Sequence, residues 1–218
     1  MSDSEAIAEV ARRIAADTGG FTGGDVGLFE EVGRHTLLSL QQNGLAPHHR
    51  LLDLGCGTLR LGYFLVRYLD PERYFGIEPT GHYLAAGLKH AIGMELRALK
   101  RPRFDRNRNF DFSVFGVAFD YVVARSIFSH ASPAMIARVM DAFRGNTSDN
   151  AIMLASWRPT LPKHRGLDVV ETEESGDDWK FRRYRFEYLE AMARERGLVA
   201  DRFGEAFNGQ VWLRLARR

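Results

Sequence analysis

Apolar and polar positions follow two rhythms along this chain, and the changes between them mark out its elements. Ser4 to Ala16 carries the three-to-four spacing of an amphipathic helix. A second helix is predicted from Asp25, an N-cap residue, to about Asn43, with Gly44 at the position after its end. Between them lies Gly19-Gly20-Phe21-Thr22-Gly23-Gly24, a hinge-like segment with little side-chain bulk. From Arg50 to about Arg144 short β-like runs alternate with helical stretches, the pattern of βαβ units and a parallel sheet. The strands are predicted at Arg50–Leu54, Tyr74–Ile77, Arg103–Asp105, Phe119–Ala124 and Ala151–Trp157. Helices are predicted at Leu59–Leu69, at about Gly81–Leu99, and from Pro133, where Ser132 supplies an N-cap and the proline sits at N1. Arg158 to Asp178 has no clear period and carries Asp168, Glu171, Glu173, Glu174, Asp177 and Asp178. A helix at about Phe186–Arg196 and strands near Leu198–Phe203 and Val211–Ala216 close the chain, the last two spaced for an antiparallel hairpin.

Composition narrows the class. At 218 residues, 45% hydrophobic and 27% charged, the chain reads as one ordinary globular domain. Its apolar runs fall well short of the ~18 residues that a spanning helix needs. Ser2, Asp3, Ser4 and Glu5 do not form the basic start of a signal peptide, so a cytoplasmic protein with no membrane partner is expected. The one cysteine, Cys56, excludes an internal disulfide, and no metal site is expected. A formal net charge of +2 leaves no global footprint for nucleic acid. Only four of the 30 cations are lysine, a skew that fits a GC-rich bacterial genome. The local cluster Arg97, Lys100, Arg101, Arg103, Arg106 and Arg108 reads as a solvated helix end and loop. A homodimer is compatible with the sequence.

Candidate chemistry begins at Leu51-Leu52-Asp53-Leu54-Gly55-Cys56-Gly57-Thr58, where a hydrophobic strand ends at an acid and a Gly-x-Gly turn. Glycines there let a ligand lie across the backbone, and a following helix N-terminus offers free N–H groups. Glu78 closes the next strand, 25 residues beyond Asp53, where a carboxylate can accept both ribose hydroxyls of an adenosine-type ligand. A dinucleotide fingerprint would place a third glycine at position 60, which is Arg60. Together these residues resemble motif I of the class I S-adenosylmethionine-dependent methyltransferases. Gly76-Ile77-Glu78-Pro79 resembles the second motif, Phe119-Asp120-Tyr121-Val122-Val123 the fourth-strand motif, and Gly197 to Leu215 the terminal hairpin.

The resemblance implies an α/β, doubly wound, seven-stranded, mostly parallel sheet of order 3-2-1-4-5-7-6, last strand antiparallel, preceded by N-terminal helices. Residues 1–44 would be those helices and a lid, 45–218 the Rossmann-like domain, and 158–180 a substrate-cap insertion. It implies S-adenosylmethionine as cofactor. Asp53 would hold the ammonium group, directly or through water, while Gly55, Cys56 and Gly57 let the cofactor approach. Arg60, at the same turn, would be a further cofactor-binding residue. Glu78 would bind the ribose with Pro79 beside the adenine, and spacing places the adenine edge at Asn109-Phe110. Ala124, Arg125 and Ser126, leaving the fourth strand, would meet the cofactor's carboxylate or the acceptor. His130 in the same stretch is the candidate general base, since an imidazole of pKa ~6.5 suits proton removal at neutral pH. It could instead cap or pack against the helix that starts at Pro133.

No Asn/Asp-Pro-Pro-aromatic motif follows strand four, and Lys89, Lys100, Lys163 and Lys180 match no RNA 2′-O pattern. A small-molecule hydroxyl or amine acceptor is left by elimination. A non-catalytic cofactor-binding relative and a nicotinamide-dependent oxidoreductase remain as alternatives, the latter disfavoured by Arg60 and the closing hairpin.

Overall fold

The computed structural model describes residues 2–21, 23–172 and 181–217. Thr22, in the glycine-rich segment, and residues 173–180, in the expected cap, lie outside them. The chain divides into two compact units, Met1–Asn109 and Phe110–Arg218.

The first unit opens with α1 (Asp3–Asp17), which starts where Ser2 and Glu5 form a reciprocal capping box and buries Ile7, Ala11 and Ile14. Asp25 caps a 3₁₀ turn, Val26–Leu28, rather than the helix itself; α2 (Phe29–Gln42) follows. Three parallel strands then form in the order β3-β2-β1: β1 (Leu51–Leu54), β2 (Tyr74–Ile77) and β3 (Arg103–Asp105). Every residue of β1 and β2 is buried, as expected of parallel strands covered on both faces. The crossover helix α3 spans Gly62–Tyr68, not Leu59–Leu69, because Leu59 takes a left-handed φ of 61° and prolongs the turn. The helix expected over Gly81–Leu99 is interrupted. A π turn at Leu88–Ile92 separates α4 (Gly81–Gly87) from α5 (Gly93–Lys100), and Gly93 has a φ of 65°.

In the second unit β4 (Phe119–Ala124) pairs in parallel with β5 (Thr147–Pro159), which runs past the expected Ala151–Trp157 at both ends. Ser132 caps α6 (Pro133–Gly145) by accepting from the Met135 N–H, with proline in the first turn as expected. Beyond β5, β6 (Val169–Thr172) lies in the region read as aperiodic and pairs with β7 (Phe181–Tyr184), just after it, to form a ribbon. β7 continues in parallel along the end of β5, with Arg158 opposite Arg183. α7 (Phe186–Glu195) leads to β8 (Leu198–Phe207) and β9 (Gln210–Arg217). β9 is antiparallel to both β5 and β8, so the order β4-β5-β9-β8 reproduces the expected 4-5-7-6, with the β6–β7 ribbon added to it. Among the described residues no helix is long and apolar enough to cross a membrane.

Candidate active site

In the first unit three strand ends meet at one edge. Asp53 lies within β1, 2% exposed, and its Oδ2 accepts from the Tyr74 hydroxyl at 2.7 Å. Burial, with the Glu78 carboxylate nearby, pushes Asp53 up to about 7 despite the tyrosine bond, which favours ionisation. Glu78 uses both carboxylate oxygens: Oε2 accepts from the Gly57 N–H at 3.0 Å and Oε1 from the Thr80 N–H at 2.7 Å. The acid at the end of β2 therefore clamps the Gly-x-Gly turn that follows β1. Gly57 has a φ of 54°, and a Cβ there would meet nothing closer than the Gly55 carbonyl oxygen at 3.9 Å, so its outer face is open. Cys56 packs inward, with its Sγ 2.8 Å from where a Cβ on Gly76 would stand, which is why β2 carries a glycine. Burial first, then Asp53 and Glu78, push the Cys56 thiol far above its usual value.

The N-terminal segment packs on this same unit. Phe21 stacks on Tyr83 with ring centroids 4.3 Å apart, and Asp17 pairs with Lys89 at 2.9 Å and His90 at 2.8 Å. Arg60 donates to the Asp25 carbonyl at 3.1 Å and lies beside Gly23 and Gly24. Its burial lowers the guanidinium to about 10. The arginine standing where a dinucleotide fingerprint has glycine thus holds the segment that follows α1.

Asn109 is exposed and Phe110 half-buried at a left-handed φ of 60°. Sequence spacing passed over Asp105 and Asn107. Asp105 ends β3 and its carbonyl accepts from the Glu78 N–H at 3.1 Å. Its carboxylate accepts from both the backbone and side-chain nitrogens of Asn107 at 2.7 Å. An acid closing a strand, as at Asp53 and Glu78, was the available signal.

In the second unit the chain leaving Ala124 turns sharply at Ser126, φ 61°. The Ser126 N–H donates to Ser156 Oγ at 2.7 Å, Ser156 donates to Gln210 Oε1 at 2.7 Å, and Gln210 Nε2 donates to Ser126 Oγ at 3.0 Å. Arg125 donates to Ser126 Oγ at 3.0 Å and lies over Trp212. This network ties the ends of β4 and β5 to the start of β9. Four residues on, the His130 ring packs against Phe181 at 4.5 Å, while Arg158 lies over the same phenylalanine at 5.1 Å. Arg182 donates to the His130 carbonyl from its side chain and to the Ser129 carbonyl from its backbone. Burial, then Arg158 and Arg182, lower the His130 pKa, so the imidazole is neutral at neutral pH. Its side chain does not cap α6, because Ser132 does. A surface cleft of about 530 Å³ lined by Thr160, Leu161, Pro162, His164 and Leu167 contains none of the predicted site residues.

A family model described as a methyltransferase domain matches residues 52–153, from β1 into β5. The match spans 102 of the 218 residues, so the likeness to methyltransferases covers just under half of the chain. Its fold is that of solved methyltransferases at low identity. The DhpI–SAH complex shares 14% identity, covers 100% of this chain and 98% of its own, and superposes with a TM-score of 0.66. Magnesium protoporphyrin IX methyltransferase from Synechocystis PCC 6803 with bound SAH gives 16%, 96%, 94% and 0.64. The glycopeptide N-methyltransferase MtfA with S-adenosylhomocysteine gives 15%, 87%, 90% and 0.68. No curated protein matches the methyltransferase in sequence. The matched span contains Asp53, Glu78 and His130.

Proposed function

We propose that this methyltransferase acts on a small-molecule acceptor, holding S-adenosylmethionine on the Asp53–Glu78 edge and using His130 as the acceptor's base. The carrying observation is the turn at Gly57, open on its outer face and clamped from behind by a buried carboxylate. That geometry fits an adenosyl amino acid. Glu78 keeps lone pairs for ribose hydroxyls after accepting its two N–H bonds, and Asp53 can neutralise an ammonium. Gly55, Cys56 and Gly57 supply backbone for close approach, Pro79 an apolar wall for the adenine, and Ala124, Arg125 and Ser126 a donor-rich turn. When bound, the cofactor supplies an electrophilic methyl group on a sulfonium. The chain's own task is then alignment, exclusion of water and removal of one proton. His130 suits the last of these because it is held neutral.

A small acceptor is supported over nucleic acid by the fate of the local basic cluster. Lys100 donates to the Leu69 carbonyl at 2.5 Å, Arg101 pairs with Glu72, and Arg103 lies over Phe75. Arg106 donates to the Pro79 carbonyl. These cations are engaged locally rather than arrayed along a groove. Calorimetry with S-adenosylhomocysteine and NAD tests the cofactor reading: the former should bind more tightly, and NAD binding of equal strength would overturn it.

A further inference from the structure

We infer that the acceptor carries an oxyanion, a carboxylate or a phosphate-type group, held by Arg158 and Arg182 beside His130. The inference rests on the methyl-transfer reading and names the acceptor's class.

Two basic side chains meet one aromatic ring in the second unit, and a third is tied to the same turn. Phe181 is contacted by the His130 ring at 4.5 Å and by the Arg158 guanidinium at 5.1 Å. Arg182 is the next residue along β7, its side chain 15% exposed, and it reaches the His130 carbonyl. Both arginines act on the His130 imidazole electrostatically. Arg182 has a carboxylate partner in Glu171 at 2.9 Å. Arg158 differs: its Nε is buried and has no hydrogen-bond partner among the described residues. A buried guanidinium nitrogen left without an acceptor is costly, and a ligand oxyanion removes that cost by taking a charge-assisted bond. The planar fork of arginine also matches carboxylate and phosphate geometry.

The chemistry of His130 points the same way. An imidazole between two guanidinium groups gains a proton reluctantly, which handicaps it as a base toward a neutral acceptor. With Glu171 balancing Arg182, an anion bound at the pair answers the remaining charge of Arg158 and restores the imidazole's basicity. An acceptor with an oxyanion thereby prepares its own base. A neutral acceptor leaves the charge of Arg158 unanswered. Glu171, which faces the pair from β6, balances one of the two arginines. Tyr184, whose hydroxyl donates to the Ala131 carbonyl, is held un-ionised mainly by burial and adds no charge.

The test uses benzoate, phenyl phosphate and benzamide as probes on the full chain, followed through the His130 imidazole resonances by NMR. Benzoate or phenyl phosphate should give saturable shifts of the His130 ring, and the stronger of the two identifies the oxyanion. Benzamide, the neutral analogue, should bind at least about tenfold more weakly, the expected loss of one charge-assisted bond. Arg158→Gln should weaken the anionic probe by about tenfold or more while S-adenosylhomocysteine affinity, read by calorimetry, stays within about twofold. Should Arg158→Gln fail to fold, Arg158→Lys keeps the charge and should keep saturable binding of the anion in preference to benzamide. Equal binding of benzoate, phenyl phosphate and benzamide overturns the inference, as does anion binding unchanged in a folded Arg158→Gln. Loss of S-adenosylhomocysteine binding with anion binding intact would instead overturn the methyl-transfer reading, so the two failures are distinct.

Discussion

Cofactor affinity should depend on pH through Asp53, and the size of the dependence follows from its surroundings. The carboxyl sits in β1 at 2% exposure, under the Tyr74 hydroxyl of β2, with Cys56 in the adjoining turn and Glu78 at the end of β2. Desolvation and the Glu78 charge raise it from 3.8 to about 7. Only the ionised form can neutralise a ligand ammonium. With a midpoint of about 7, the ionised fraction climbs from about 3% at about pH 5.5 to about 75% at about pH 7.5. Affinity for S-adenosylhomocysteine should therefore rise by up to about 25-fold over that range, or about 1.9 kcal/mol. The window stays below loss of the ligand's own ammonium proton.

Calorimetry supplies the assay. Titrations in two buffers of different ionisation enthalpy at about pH 6.5 should show release of about three-quarters of a proton per ligand bound, the fraction that Asp53 then carries. Asp53→Asn keeps an acceptor for Tyr74 and removes the charge. It should bind with the weak affinity of the wild type at low pH, and its affinity should not vary with pH. A wild-type affinity that changes by less than about twofold over the range would refute the reasoning. So would an equal slope in Asp53→Asn, because the titrating group would then be another.

Glu78→Ala should weaken S-adenosylhomocysteine binding by about 1.5–3 kcal/mol; unchanged affinity in a folded variant would remove Glu78 from the site. A Cβ at Gly87 would stand 2.5 Å from the Thr58 carbonyl oxygen, so Gly87→Ala should destabilise the chain by about 1–3 kcal/mol in thermal unfolding. An unaltered Tm would argue against close packing of α4 on the Gly-x-Gly turn. If the N-terminal segment is a lid, Phe21→Ala removes its stack on Tyr83 and should lower cofactor affinity by about two- to tenfold, the worth of one aromatic pair. Unchanged affinity and hydrogen exchange around Gly55 would make the segment a linker. His130→Ala should lower kcat by about 10²–10⁴-fold with cofactor affinity intact. In the wild type kcat/KM, which reports the free enzyme, should be flat near neutral pH and fall only in acid, since burial, Arg158 and Arg182 hold the imidazole pKa below its usual value. A rate that still climbs above neutral pH would contradict that assignment.

Features encoded by a few adjacent residues were legible before the structure. The apolar runs at Leu51–Leu54 and Phe119–Ala124 are long enough to bury both faces, and Ser132-Pro133 starts a helix by its own chemistry. The strand-end acids Asp53 and Glu78 could be read for the same reason. Features set by tertiary partners were not. Leu59 adopts a left-handed φ, and nothing about a leucine announces it. The β6–β7 ribbon is built from Val169–Thr172 and Phe181–Tyr184, whose Glu171, Arg182 and Arg183 look like a solvated loop until paired. Arg60 stood out only as a departure from a glycine pattern. Its bond to the Asp25 carbonyl, 35 residues away, is invisible to local spacing.

The hidden part is also where the proposed acceptor site lies. His130 was singled out as a candidate from its place after β4, but Phe181 and Arg182 arrive on a strand that has no periodic signal, and Arg158 arrives on the unpredicted extension of β5. Two local side-chain clusters thus differ in the sign of their charge. The first presents Asp53 and Glu78, carboxylates suited to an ammonium and to hydroxyls. The second presents Arg158 and Arg182, guanidinium groups of which Glu171 balances one. A methyl donor is cationic at its sulfonium and ammonium, so the proposed Asp53–Glu78 edge would match the donor by charge. The proposed Arg158–Arg182 cluster would match an anion by the same argument. Binding each reactant against its own complementary charge discriminates between them without shape alone having to do so. Neutral acceptors of similar size would then be excluded by the cost of leaving Arg158 unanswered.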